Sequence, residues 1–198
     1  MSALWPYATP GIPDRLFQQL PGIPLTKREV RLLVMGYLRL KPDAHFWDIG
    51  AGTGTVAIEA ALLCPQGKIT AVERDEDVAK LIKTNCDRFE VTNVDVISGN
   101  APECLNQIAG APNCVLIEGA PLQSTLEAAW KKLAMGGRIV VTANNLEALY
   151  TASETFATLH MRNIEVAQPV INRLETRGNR QVFATVDPIF IISGDKLE

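Results

Sequence analysis

Asp48-Ile49-Gly50-Ala51-Gly52-Thr53-Gly54, DIGAGTG, overlaps an apolar run, Phe46-Trp47-Asp48-Ile49, and leads into a second, Val56 to Leu63. The first run has the length of a buried strand and the second reads as a helix. Three glycines at alternate positions let the backbone turn sharply and come close to a ligand that a Cβ would push away. The loop stands at the carboxyl end of a first strand, where open α/β sheets bind ligands.

Outward from this unit the same alternation continues. Ile69 to Glu73 predicts a second strand and Glu76 to Phe89 a helix; Val94 to Ser98 and Cys114 to Ile117 predict two more strands. Leu122 to Leu133 reads as a helix, Met135-Gly136-Gly137 as a turn, and Arg138 to Thr142 as a fifth strand. A helix over Leu146 to Leu159 comes next, then β-rich sequence in Asn163 to Val170 and Gln181 to Ile192. Strands alternating with helices imply βαβ units. The fold class is therefore α/β: a Rossmann-like, doubly wound, mostly parallel sheet with a late antiparallel strand.

Toward the amino terminus, Pro6, Pro10, Pro13, Pro21 and Pro24 argue against a long helix or central strand. Thr26 with Glu29 has the spacing of a capping box for a helix from Lys27 to Leu38, whose stripe is Val30, Leu33, Val34 and Tyr37. Residues 1–45 thus form an extension and a helix packing on residues 46–198, one domain in all.

Composition narrows the function classes. With 47% hydrophobic and 21% charged residues, the chain suits a packed soluble protein. Its net charge of −3 provides no global field for nucleic acid. Cys64, Cys86, Cys104 and Cys114 form no CxxC pair, and only His45 and His160 could join them. They read as small buried hydrophobes in a reducing cytosol, with no metal site expected. No secretory signal and no membrane-spanning run is read, which predicts a cytoplasmic protein.

The loop spacing is GxGxG, not the GxGxxG of dinucleotide sites, and an acid, Asp48, precedes it. Glu73 ends the second strand, where a carboxylate accepts hydrogen bonds from both ribose hydroxyls of a nucleoside; its plainer reading is a helix-capping acid. Asn100 follows the third strand and could meet the adenine amino edge, or be an ordinary Asn turn. Glycine loop, ribose acid and adenine-side residue, in that order, are the pattern of class I methyltransferases using S-adenosylmethionine. Such transfer needs little side-chain chemistry, because the sulfonium methyl is already activated and positioning supplies most of the acceleration. No catalytic acid or base is assigned.

Several segments in order carry a family resemblance: PGIPDRLF (Pro10 to Phe17), TKREVR (Thr26 to Arg31), DIGAGTG with IEAA (Ile58 to Ala61), GNAPE (Gly99 to Glu103), GGRIVVTA (Gly136 to Ala143) and NRLETRGNR (Asn172 to Arg180). The chain resembles the decarboxylating precorrin or cobalt-precorrin carbon-15 methyltransferases of cobalamin biosynthesis. The resemblance implies cofactor contacts from Thr26, Gly50, Ala51, Gly52, Thr53, Gly54, Glu73 and Ala101. It also implies a tetrapyrrole substrate and a homo-oligomer, a tetramer. Two departures stand out. Asn100 replaces the aspartate of GDAPE, and Ile117-Glu118-Gly119-Ala120 replaces a glycine pair and serine. A carboxylate at Glu118 is unexpected beside a polyanionic substrate unless it is protonated or turned away; otherwise it reads as a solvated loop acid.

A polycarboxylate substrate calls for cations, preferably Arg. Arg173, Arg177 and Arg180 lie between the late strands, and Arg15, Lys27, Arg28 and Arg31 near the amino-terminal segment. Trp5, Tyr7 and Phe17 would serve as an apolar platform. A basic run is also what a solvated loop carries. Competing readings are a tRNA base methyltransferase, a nicotinamide oxidoreductase, and a non-catalytic subunit that has lost its cofactor.

Overall fold

Short apolar runs bounded by turn residues form the strands of a central sheet, and the amphipathic segments between them cover its faces. The computed structural model describes residues 4–119 and 121–197. In chain order the elements are α1 (Arg28–Leu38), β1 (His45–Ile49), α2 (Thr55–Leu63), β2 (Lys68–Glu73), α3 (Glu76–Arg88) and β3 (Val94–Ser98). There follow β4 (Cys114–Glu118), α4 (Leu122–Lys132), β5 (Arg138–Ala143), α5 (Leu146–Thr158), β6 (Arg162–Ala167), β7 (Asn172–Arg177), β8 (Arg180–Thr185) and β9 (Phe190–Asp195).

Seven strands make one sheet in the order β3-β2-β1-β4-β5-β9-β6. The first five run parallel, whereas β9 is antiparallel to both β5 and β6. The chain winds outward from β1 to β3 on one side and from β4 to β5 on the other. Strand order therefore reverses between β1 and β4, and a crevice is expected beyond their carboxyl ends.

Each face of the sheet carries its own core. Phe46, Ile69, Leu116 and Val140 pack with Val34 and Leu38 of α1, Val56 and Ile58 of α2, and Ile82 of α3. Trp47, Ile49, Val115, Ile139 and Ile192 pack with Leu126 and Ala129 of α4 and Ala152 and Phe156 of α5. Both faces being covered, these strands read as near-continuous apolar sequence. Helix α2 is buried on nearly all sides, which an apolar segment such as TVAIEAALL requires. The four cysteines are buried free thiols.

Three expectations need correction. Thr26 and Glu29 form no capping box: Lys27 is the N-cap of α1 and makes no side-chain cap bond. The carboxylate of Asp14 instead accepts from the Arg28 amide at 3.0 Å, so the cap comes from upstream chain. The buried stripe of α1 is Val30, Arg31, Val34, Met35 and Leu38, while Leu33 faces solvent. A charged side chain sits in that stripe because Arg31 finds carboxylates inside, at Glu59 (2.9 Å) and Asp14 (2.8 Å). Third, NRLETRGNR is not a connection between strands. It forms β7, a turn at Gly178 (φ +61°) and the start of β8, a hairpin outside the main sheet. With most of its side chains exposed, β7 shows no apolar alternation to read, whereas β8 lies within the stretch read as β-rich from Gln181.

Candidate functional site

The glycine loop is shaped by its neighbours. Gly50, Gly52 and Gly54 all have positive φ (+82°, +53° and +77°). A Cβ on Gly50 would lie 2.0 Å from the Glu118 carbonyl oxygen, so only glycine lets β1 end this close to β4. The Gly50 and Ala51 amides donate to the Val72 carbonyl at 2.9 and 3.0 Å. Gly54 is the left-handed N-cap of α2. The loop thus bends over the strand ends, with the Gly54 amide donating back to the Ala51 carbonyl at 2.8 Å.

Glu73 closes one side of the loop. Its carboxylate accepts from the Gly52 amide at 3.0 Å and the Asp75 amide at 3.1 Å. The helix-capping role belongs to Asp75, whose side chain accepts from Asp77 and Val78. At the end of β3, the Gly99 amide donates to the Glu73 carbonyl at 2.9 Å, bringing Asn100 and Ala101 to the same edge. The Asn100 side chain is exposed there.

Glu118 closes the other side. It is not a solvated loop acid: its two oxygens accept from Thr26 Oγ1 at 2.8 Å and Thr142 Oγ1 at 3.0 Å. Thr26 therefore serves β4 and not its own helix. Burial pushes the Glu118 carboxyl up, and the two hydroxyls and the Arg31 charge offset only part of that.

Between and beneath these lies Asp48, which is fully buried. Among the described residues neither of its carboxylate oxygens has a hydrogen-bond partner, and the same holds for the buried Thr53 hydroxyl. Burial is the main reason the Asp48 carboxyl stands well above the ordinary range; the charges of Glu118 and Glu73 add to it, and the Ala57 amide opposes it. Alternation along the strands puts Asp48, Glu73 and Glu118 on one side of the sheet. Phe46, Ala71 and Leu116, each two residues earlier, all belong to the core under α1 to α3. Three acids on adjacent strand ends, one without a partner, beneath a glycine loop that lets a ligand come close, suit a cationic nucleoside such as S-adenosylmethionine.

The structure brings Thr26, the glycine loop, Glu73, Asn100 and Ala101 to one edge. The arginines are more dispersed. Arg173 is engaged with Glu29 and with Asp14 (3.0 Å), which ties the hairpin to α1 and the amino-terminal segment. Arg177 and Arg180 are paired positions at the exposed hairpin tip, and Arg177 reaches Glu175 at 3.1 Å. Arg31 is fully buried and unavailable to a substrate. Phe17 is buried against Phe89 and under Arg31. Trp5 and Tyr7 line a small hollow with Leu62 and Leu63, at the end of α2 remote from Gly54. The aromatic platform is thereby excluded from this crevice.

One anchoring residue escaped the sequence reading. Asn85 of α3 accepts from the Gln18 amide at 2.8 Å and donates to the Gln18 and Thr53 carbonyls at 3.0 and 3.1 Å. It fastens the amino-terminal segment to the glycine loop. An Asn within a helix carries no pattern that announces such a role.

Residues 19–194 match the family described as Precorrin methyltransferase domain. A probable cobalt-precorrin-6B C(15)-methyltransferase (decarboxylating) of Sulfurisphaera tokodaii is 37% identical over 189 residues, covering 94% of this chain and 98% of that protein. The crystal structure of precorrin-6y C5,15-methyltransferase from Geobacter metallireducens superposes with a TM-score of 0.88 at 33% identity, covering 94% of this chain and 97% of that one. The precorrin 8W decarboxylase structure from Methanobacterium thermoautotrophicum gives 0.84 at 29% identity, covering 92% and 98%. With its class I fold and its matched length, this chain belongs to the precorrin methyltransferase family.

Proposed function

We propose that this chain is an S-adenosylmethionine-dependent methyltransferase of corrin synthesis. It methylates carbon 15 of a cobalt-precorrin-6B-type macrocycle, with loss of carbon dioxide from an acetate side chain. The observation that carries the reading is family membership over nearly the whole chain, joined to a crevice whose chemistry fits the cofactor.

When bound, the cofactor supplies an electrophilic methyl on a sulfonium. The protein's part is to hold and orient. Glu73 would accept from the ribose hydroxyls, and the Cβ-free backbone at Gly50, Gly52 and Gly54 would lie against the nucleoside. Asn100 and Ala101 meet the adenine, and Thr26 contributes from the amino-terminal side. Loss of carbon dioxide releases an electron pair into the conjugated ring, which supports a carbon nucleophile without a strong protein base. Holding that carbon in line is worth more here than proton transfer. Arg177 and Arg180 on the hairpin, with Arg15, Lys27 and Arg28 near the amino-terminal segment, are exposed cations for substrate carboxylates. Arg173 would have to exchange Glu29 or Asp14 for one.

The finer reading places the enzyme in the cytoplasm as a homotetramer, with residues 1–45 as an extension on a single catalytic domain. Among the described residues no helix is long and apolar enough to cross a membrane. The cross-strand pair Leu174 (55% exposed) and Phe183 (76% exposed) supports self-association, since a lone chain leaves this pair in water. Turnover of a precorrin-6B-type tetrapyrrole with S-adenosylmethionine, followed by mass spectrometry, tests the activity. One methyl gained together with one carboxyl lost is the expected product; a methyl gained on bulk tRNA instead would replace this reading.

A further inference from the structure

Glu118 is the acid that departs from the family's glycine pair, and the structure holds it firmly. Two hydroxyls from different elements, Thr26 before α1 and Thr142 on β5, fix one oxygen each. A carboxylate offers about four lone-pair sites, so sites remain on both oxygens for further donors.

Its place along the crevice is set by register. Ile49 pairs with Val72 on one side and with Ile117 on the other, so Glu73 and Glu118 flank Gly50 across both neighbours. Two strand spacings, about 10 Å, separate their backbones. If Asn100 and Ala101 take the adenine and Glu73 the ribose, the remaining arm of the nucleoside runs past Gly50 toward β4. That is also where strand order reverses.

We propose that Glu118 receives the α-ammonium of the cofactor's amino-acid arm, a reading that rests on the cofactor site proposed above. Of the two cations on S-adenosylmethionine, only the ammonium carries N–H donors that a fixed carboxylate can accept. The sulfonium has none and must leave its methyl open to the nucleophile. The neighbouring Asp48, buried on β1 between the two acids and without a hydrogen-bond partner among the described residues, leaves Glu118 the acid held in place by two hydroxyls at this end of the crevice. An ammonium beside Glu118 would also favour its ionised form against the burial that raises it.

The test crosses one substitution with one missing group. S-adenosylhomocysteine and its deamino analogue, which keeps the carboxylate and lacks only the ammonium, are titrated by calorimetry into wild type and Glu118→Gln, with competition where binding is weak. Gln keeps an acceptor for the hydroxyls and removes the charge. In wild type the amine should improve affinity about tenfold or more, the range of a charge-assisted bond. In Glu118→Gln that advantage should shrink to near unity, with the deamino analogue bound as in wild type. Glu73→Ala serves as a control: it should weaken both ligands alike. An undiminished amine advantage in Glu118→Gln overturns the proposal. So does equal weakening of both ligands, which would make Glu118 a scaffold residue. If wild type binds neither ligand, the cofactor site itself is wrong and the proposal falls with it.

Discussion

Two charged regions lie within one fold and are handled in opposite ways. Under the amino-terminal segment, Arg31 is fully buried, yet it donates to Glu59, Asp14 and the carbonyls of Ile12 and Thr26. Glu59, buried in α2, uses its two oxygens to accept from the Gly11 and Ile12 amides at 2.9 and 3.0 Å. Arg173 adds a second knot with Glu29 and Asp14. At the carboxyl edge of the sheet, Asp48, Glu73 and Glu118 gather with hydroxyls and amides but no arginine or lysine bonded to any of them among the described residues. Charge that builds the fold is neutralised internally. The acids at the carboxyl edge lack such cations, and burial raises Asp48 and Glu118, a burden on the fold that the cofactor site proposed above accounts for.

Breaking the paired region should give the largest effect. Arg31→Ala leaves Glu59 buried without its cation and should destabilise by about 3–5 kcal/mol, read by chemical denaturation. A loss under about 1 kcal/mol would mean that the knot is ornamental. Gly52→Val forces a β-branched residue into φ +53° and should lower stability by about 1–2 kcal/mol while abolishing binding of S-adenosylhomocysteine. Normal binding by a folded Gly52→Val protein would place the cofactor elsewhere.

The two regions should also differ in pH response. Asp48 has a raised folded-state pKa, so its contribution is most favourable below the ordinary aspartate range and is lost as pH rises toward the folded value. Asp14 is the reverse. Burial alone would raise it, but the hydrogen bonds and charges of Arg31 and Arg173 together lower it. Glu29 is lowered chiefly by its bond to Arg173. Their stabilisation is present above the ordinary carboxylate values and is lost as pH falls through the lowered ones. Asp48→Asn should therefore remove the loss on the rising-pH side and leave the acid side unchanged; an unaltered profile would show that Asp48 is not the strained group. The smallest effect belongs to Arg173→Ala. This part-exposed knot should be worth up to about 1 kcal/mol, visible as a small shift in the denaturation midpoint.

The parallel core of the fold was legible because its strands are short apolar runs next to glycine turns, as in Phe46 to Gly54. The positions of the glycine loop and Glu73 at the ends of β1 and β2 were legible because glycine spacing and strand length fix them, while their ligand roles are part of the proposal. What escaped reading depended on contacts between distant segments. Nothing near Thr26 says that its hydroxyl will meet a carboxylate 92 residues away. Nothing near Glu118 distinguishes a solvated acid from one clasped by two threonines. The first hairpin strand, Asn172 to Arg177, was missed for another reason: it is exposed and lacks the apolar face that betrays a strand, whereas Gln181 to Thr185 fell inside the stretch read as β-rich.

The central claim is that the crevice around Gly50 grips a sulfonium nucleoside by its sugar through Glu73. Calorimetric titration of S-adenosylhomocysteine into wild type and Glu73→Ala tests it most directly. The account predicts one site per chain, with affinity falling by about 1.5–3 kcal/mol in the variant while the protein stays folded. Equal affinity in the two proteins, or no binding to wild type, would contradict it.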